Sequence, residues 1–580
     1  MRGHPVPEDQ TQRDGIDEGK RLLRVGGDKG LSLAERLSEH FHRLTWRTPI
    51  HGMRLKGRHP LKLIAVPDDP FLGDVARGHA LLDGVLAFRG ETRDLETIDL
   101  SKPDWSKAFA EYLHGFAWLR DLSTVATRAQ ATPVAEFLMR LWLDAHADTV
   151  SEPAWRADLW GRRILFWTAH APLILSSADL VYRSRVLNTL ARGARHIDRA
   201  AEKAPQGAPR VAALCGMVAA TLLIPGGDPR RSVVEAALLR GLLASIYEDG
   251  GNVARSPAAQ VDLVMLLTSL REVYDARRLD PPAFLPETLG KLVAALLGIC
   301  HTDRDLGSWQ GGGPYGAEAL AQVIAASGVR TRPLRQARDW GYQRLAAGSA
   351  VMLLDGAPPP VARLVEGGCA STLAIEVSDG PDRIIVNCGG ARSGIAQLPV
   401  DLSEGLRTTA AHSTLVLGDS NSTAIHADGT LGRGVAEVEL VRQESEMSSR
   451  IEASHDGYVR RFGLLHRRQL VMTNDGREIR GEDVLLPAPK QRKIQPSVFA
   501  IRFHLGFGVQ VSPTADGMAA LLRLPGGGMW QFRCRGGMLT VEDSLWIDAE
   551  GRPHATFQLV VSGEAPAGGA NVGWVLKRAH

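Results

Sequence analysis

The sequence predicts an α+β multidomain protein: an N-terminal array of helix pairs followed by a large antiparallel β-sandwich. Three observations carry this. A chain of 580 residues is too long for one ordinary core. Residues 31–345 are dominated by three- and four-residue apolar spacing, and residues 346–580 switch to two-residue alternation broken by Asp-Gly turns. Residues 1–30, Gly- and charge-rich, are expected to lack regular structure.

In the helical half, Phe109, Tyr112, Leu113, Phe116 and Leu119 recur at three- and four-residue steps and make one apolar face. Ser151 followed by Pro153 reads as a helix start leading into Trp155, Leu159 and Ile164. Further helices are expected near 178–202, 210–224, 231–247, 257–277, 286–300 and 315–326. Short connections between helices of similar length fit an antiparallel array or a toroid of helix pairs. The period changes near 346–350. Runs at 372–377 and 383–387 flank Asp379-Gly380, a hairpin signal. Asp475-Gly476 and Asp516-Gly517 sit between similar runs, and alternation continues through 531–535 and 556–561. Closely spaced strands with few helices imply an antiparallel sandwich rather than a parallel sheet.

Composition narrows the function classes. A chain 44% hydrophobic and 23% charged is that of a soluble globular protein. A net charge of +3 gives no basis for a nucleic-acid partner. The pairs Arg460-Arg461 and Arg467-Arg468 suit an acidic ligand as well as a solvated face. The five cysteines include no CxxC, so neither a disulfide framework nor a thiolate zinc site is indicated, and buried free thiols are expected. The longest apolar run, 211–224, is too short to span a bilayer, so no transmembrane segment is expected. No apolar leader is visible, which points to the cytoplasm. No nucleotide or organic cofactor is indicated.

Three constellations could carry chemistry. His412, within LRTTAAHSTLVLGDSN at 406–421, is followed by Asp428 and His466. Two imidazoles and a carboxylate from separate strands suit zinc. The spacings are long, however, and Asp428 before Gly429 reads equally as a turn residue. His466 beside Arg467 and Arg468 reads equally as part of an exposed basic strand, with His426 and His455 as rival ligands. The second constellation is His455-Asp456-Gly457-Tyr458. Tyr458 could exchange a proton if Arg460 or Arg461 lowered its pKa, and otherwise packs its ring inside with a wet hydroxyl. The third is Asp249–Asn252 with Arg255-Ser256-Pro257. Ser256 is a good N-cap, Pro257 suits the first turn, and Asn252 and Arg255 on the inter-helix loop could hold a carboxylate. Trp309-Gln310 with Gly311–Gly313 and Tyr315 forms a second candidate rim, where Trp309 could stack on a sugar or pack in the core.

On WSKAFAEYLHGFAWLRDL (105–122), DGGNVARSP (249–257), GYQRL (341–345), the AHST core of 406–417 and His466–Arg468 leading to Asp483, the chain resembles the heparinase II/III family over most of residues 30–575. The resemblance implies an (α/α) toroid, a sandwich, and a polysaccharide cleft between them. Family members cleave uronic-acid-containing polysaccharides by β-elimination, which needs a neutralised carboxylate, a base for the C5 proton and an acid for the leaving oxygen. Carried onto this sequence, proton transfer falls to Tyr458, His412 and His455, and substrate binding to Asn252, Arg255, Trp309 and Tyr315. A structural zinc would sit on His412, Asp428 and His466. The partner would be an anionic polysaccharide or oligosaccharide, and the cell envelope or periplasm becomes the alternative location. The chain also departs from the family: Ala259 and Gln260 stand where a Tyr-His pair is common, no Asn-His pair appears near Pro209-Arg210, and Ala410 replaces a second histidine. The sequence therefore reads as a polysaccharide lyase-like protein, with a non-catalytic anionic-glycan-binding or assembly protein on the same fold as the alternative. A glycoside hydrolase using Asp249 and Glu318 is a third reading, although nothing in the sequence pairs those carboxylates.

Overall fold

A computed structural model describes residues 20–23, 49–57, 60–102, 104–361, 363–365, 367–390, 398–489 and 496–579. Helices occupy the first half as the apolar spacing predicts, including Lys107–Gly115, Arg128–His146, Ala157–Ala169, Leu180–Ala200, Ala208–Leu223, Arg231–Ser245, Pro257–Ala276, Phe284–Gly298 and Ala317–Ala326. Lys107–Gly115 starts where the Ser106 hydroxyl accepts from the Phe109 amide at 3.2 Å. It stops at Phe116, whose φ of 64° ends the helix in the left-handed region. One expected start moves: the helix after Pro153 begins at Ala157, and residues 152–155 form a turn before it.

Ala208–Leu223 is buried almost all round and runs through the middle of this domain. It meets Ala157–Ala169 backbone to backbone at two glycines. A Cβ on Gly161 would lie 2.0 Å from the Ala212 carbonyl oxygen, and one on Gly216 would lie 2.3 Å from Gly161 Cα. Only hydrogen fits at either place, so alanine there must push the two helices apart.

The second half forms two large antiparallel sheets. The nine-stranded sheet runs in the order Lys20–Leu23, Glu437–Glu444, Ser448–His455, Leu464–Thr473, Glu478–Pro487, Ala570–Arg578, Met529–Arg535, Ala519–Arg523, Gln510–Pro513. Its first strand corrects the expectation for residues 1–30: Lys20–Leu23 pairs with Glu437–Leu440 at the sheet edge, and Leu22 packs on the sandwich core. The eight-stranded sheet runs Met538–Ile547, Pro553–Ala565, Ser497–Leu505, Asp382–Val386, Ile375–Asp379, Ala350–Asp355, Tyr342–Ala347, with Leu415–Leu417 also pairing to Ser497–Leu505. The Asp379-Gly380, Asp475-Gly476 and Asp516-Gly517 turns all fall between consecutive strands, as predicted.

Ala350–Asp355 shows how the two halves join. Every residue of it is buried. Met352 and Leu354 enter the core between the sheets, whereas Val351 and Leu353 enter the core of the helical domain. A strand covered on both faces is apolar throughout, which explains the unbroken AVMLL run. All five cysteines are free and buried. Among the described residues, no helix is long and apolar enough to cross a membrane.

Candidate functional site

Strand Leu464–Thr473 alternates strictly: Leu464, His466, Arg468, Leu470 and Met472 point inward, and the residues between them point outward. Antiparallel register sets His455 opposite His466 and Asp483 opposite Arg468. The result is a closed polar chain inside the sandwich. The Gly457 amide donates to His455 Nδ1 at 3.1 Å, so Nε2 of that ring carries the proton and faces His466 Nδ1 at 3.3 Å. His466 Nε2 then donates to Asp483 Oδ1 at 2.8 Å. Arg468 Nε reaches the same oxygen at 2.7 Å, and Trp574 Nε1 donates to Asp483 Oδ2 at 2.9 Å. Arg468 also donates to the carbonyls of Leu373 and Ser413, at 2.7 and 2.9 Å, which ties the two sheets together.

These contacts fix the protonation of the group. Burial would raise the Asp483 carboxyl, but Arg468 and His466 outweigh it and hold it below the ordinary carboxylate range. Burial lowers both His455 and His466, so each ring stays neutral. His412 is 1% exposed. Its Nδ1 faces the Thr408 carbonyl at 2.7 Å, and burial lowers its pKa too. The expectation of His412 and His455 as proton carriers therefore meets two buried rings, each tied to main-chain groups.

Tyr458 corrects a second expectation. Its ring packs inside, but the hydroxyl is not wet. Tyr458 is 1% exposed and donates to the Leu415 carbonyl at 2.7 Å. Burial pushes the phenol far up rather than Arg460 or Arg461 pulling it down. A phenol so placed is a structural donor.

The proposed zinc ligands do not converge. Asp428 is exposed in the turn before Gly429, where its Oδ1 accepts from the amide and hydroxyl of Thr430 at 2.9 and 2.6 Å. His466 has both ring nitrogens committed, and His412 is buried. His426 is exposed near Asp428. Among the described residues, no three His, Cys, Asp or Glu side chains gather to hold a metal ion. The set His412, Asp428 and His466 does not fit zinc.

The inter-helix loop is structural as well. Asn252 Nδ2 donates to the Ser256 carbonyl at 2.8 Å and to Gln260 Oε1 at 2.9 Å. Arg255, 3% exposed, donates to Asp355 Oδ1 at 2.5 Å, to the Trp340 carbonyl at 2.8 Å and to the Pro358 carbonyl at 3.0 Å. Its backbone is held at φ 53°, a left-handed conformation costing about 1–3 kcal/mol that such bonds maintain. Arg255 thus pins the helical domain to the β-domain and is not free to meet a uronate. Ser256 precedes the helix Pro257–Ala276 but makes no side-chain capping bond.

The second rim lies inside the domain junction. Trp309 is 1% exposed. Gln310 donates to Ser371 Oγ at 3.0 Å and accepts from the Cys369 amide at 2.9 Å. The following glycines let main chains touch: a Cβ on Gly390 would lie 2.2 Å from the Gly312 carbonyl oxygen. Around them, His301 Nε2 meets Glu376 Oε2 at 2.8 Å, and Arg383 Nε donates to Asp303 Oδ2 at 2.7 Å. Sequence reading missed these four residues, because a pair spanning two domains has no spacing to read. The loop expected to line a cleft here fills the junction. Asp249 and Glu318 form no hydrolase pair: Asp249 accepts from the amides of Gly251, Asp339 and Trp340, and Glu318 is exposed.

Tyr315 differs from the other candidates. It is half-buried, and its hydroxyl donates to Met265 Sδ at 3.9 Å. Met265 lines a cavity of about 170 Å3 in the helical domain.

Residues 329–575 match the family described as Heparinase II/III-like, C-terminal. The β-domain is therefore a heparinase II/III-like domain, and the described chain as a whole carries the heparinase III fold. The crystal structure of heparinase III superposes with a TM-score of 0.67 at 12% identity, covering 96% of this chain and 93% of that one. Heparan sulfate lyase HepC from Pedobacter heparinus gives 0.58 at 13% identity, covering 94% and 88%. FtsZ-localized protein C of Caulobacter vibrioides is 28% identical over 588 residues, covering 96% of this chain and 97% of its own.

Proposed function

We propose that this chain is a non-catalytic assembly protein that retains the architecture of a polysaccharide lyase and localises with FtsZ. The observation that carries this reading is the state of the groups that would move protons. All seven tyrosines lie among the described residues, five buried and two half-buried. Burial raises the pKa of every one. A phenol serving β-elimination as base needs the opposite shift and access to substrate. His412, His455 and His466 are buried, and the last two are neutral links in a saturated chain. The only arginine singled out for the uronate, Arg255, is consumed by Asp355.

The Caulobacter relative supports the assembly role, because it matches nearly end to end and its name records localisation with FtsZ. We assign the chain to the cytoplasm, in keeping with five free thiols. Closure of the helix pairs into an (α/α) toroid is the finer arrangement we propose for the helical domain. The test is co-sedimentation of the full-length protein with FtsZ polymers of the same bacterium. Enrichment in the polymer pellet is expected, and a protein left in the supernatant at every FtsZ concentration contradicts the reading.

A second reading keeps an anionic glycan as ligand without turnover. The shared lyase fold favours it. Retention on a heparan sulfate or chondroitin sulfate array, with no product released, would establish it over the first.

A further inference from the structure

We propose that the cavity in the helical domain is a docking pocket for a basic, apolar-flanked segment of a partner protein, with an arginine or lysine side chain entering it. The cavity measures about 170 Å3 and is walled only by helical-domain residues. It opens between Lys107–Gly115, Ala157–Ala169 and Pro257–Ala276, with Pro67–Asp69 along one side. Leu165, Phe166, Met265, Leu266 and Val273 supply an apolar wall of the kind that accepts the methylene stem of a long cationic side chain.

Charge decides the sign of the occupant. Four carboxylates line the cavity, those of Asp68, Asp69, Glu111 and Asp262, against the two guanidiniums of Arg120 and Arg162. Both guanidiniums are spent. Arg120 grips Asp69 through two bonds of 2.8 Å and lies 4.9 Å from the ring centres of Phe71 and Phe166. Arg162 grips Asp262 through bonds of 2.7 and 2.5 Å. Glu111 gives one oxygen to Arg156 at 2.8 Å. Asp68 is exposed and has no ion-pair partner among the described residues. What remains is negative, so the field in the pocket attracts a cation and repels a uronate polymer. This reverses the charge preference that the family resemblance implies.

The surroundings favour a polypeptide over a small ion. The segment that supplies Pro67–Asp69 also exposes Val66, Leu72 and Val75, at 47%, 67% and 56%. Apolar side chains beside a charged pocket match a partner that anchors one cation and lays apolar neighbours on the rim. The proposal rests on the assembly-protein reading only in supposing a protein partner.

Calorimetric titration of the full-length protein with acetyl-Leu-Arg-Leu-amide tests it, against the same peptide carrying citrulline or glutamate at the centre. The arginine peptide should bind at least tenfold more tightly than the citrulline peptide, and the glutamate peptide should not bind. Asp68→Asn, at an exposed position that leaves folding intact, should weaken the arginine peptide at least threefold, and Asp68→Asn with Glu111→Gln at least fivefold. Ser269→Trp, which sets a large side chain in the cavity lining, should abolish binding. If the arginine and citrulline peptides bind alike, if no peptide binds, or if Asp68→Asn leaves affinity unchanged, the pocket assignment is overturned. Those outcomes leave the non-catalytic reading standing, and a lyase product in a separate assay leaves the peptide result standing.

Discussion

Two buried arginines, one in each domain, are balanced in opposite ways. In the sandwich, Arg468 is 1% exposed and faces a carboxylate, Asp483, whose remaining positions are filled by His466 and Trp574. In the helical domain, Arg163 is fully buried and its bonds go to carbonyls, those of His114 and Ala154. Its guanidinium lies between Trp142 and Trp160, 4.1 and 4.2 Å from their ring centres. Burial drives its pKa well below the ordinary arginine value. One cation is balanced by charge, the other by aromatic faces and carbonyl dipoles. The sandwich network is the one that resembles a lyase centre in residue types, yet it is saturated. The cavity of about 170 Å3 lies in the other domain.

Acid should produce the largest effect and expose where the two domains behave alike. Both hold neutral histidines. Burial lowers His114 to about 2, His196 to about 3 and His146 to about 4 in the helical domain, and His504 to about 3 in the sandwich. Below the ordinary histidine value of 6.5 the unfolded chain takes up protons that the folded chain refuses. Stability is therefore fully present above that pH and falls from there down to each ring's folded value, about 4 for His146, about 3 for His196 and His504 and about 2 for His114, by up to about 1.4 kcal/mol per pH unit for each histidine. Urea midpoints measured across this range should drop steeply, and a flat profile would contradict the burial of these rings.

The contrast between the arginines comes next. Asp483→Ala strands Arg468 in the sandwich and should cost about 3–5 kcal/mol by chemical denaturation. Arg163→Met removes a desolvation penalty together with its aromatic contacts and should cost less, about 1–3 kcal/mol. Equal losses would break the comparison. Tyr458→Phe deletes one buried bond and should cost about 1 kcal/mol. Asp428→Ala loses only a turn contact, so a change within about 0.5 kcal/mol is expected, with no shift of the melting temperature on adding zinc or chelator.

Much of the fold was legible because periodicity states which face of an element is apolar. The helices from 178 to 326 emerged within a few residues of their expected bounds, since prolines and glycines sit close to most of their ends. The candidate site was legible in part. In LLHRRQLVMT the two-residue period already sets His466 and Arg468 on the same face as Leu470 and Met472, which is the inward face. The same test puts His455 beside Ile451 and Ala453. Both imidazoles therefore belong on the inward faces of their strands. Asp428 before Gly429 was readable as a turn. Arg255 was not readable, because its partner Asp355 is a hundred positions away and a buried interdomain pair leaves no local pattern. The cavity was equally hidden: Asp69, Glu111 and Asp262 meet only through helix packing.

The most direct test of the non-catalytic account is ultraviolet absorbance of unsaturated uronate product, with the full-length folded protein incubated on heparin-like, alginate and glucuronan polymers. The account predicts no rise above the polymer alone on any substrate. A sustained rise that disappears in Tyr458→Phe or Tyr315→Phe would contradict it.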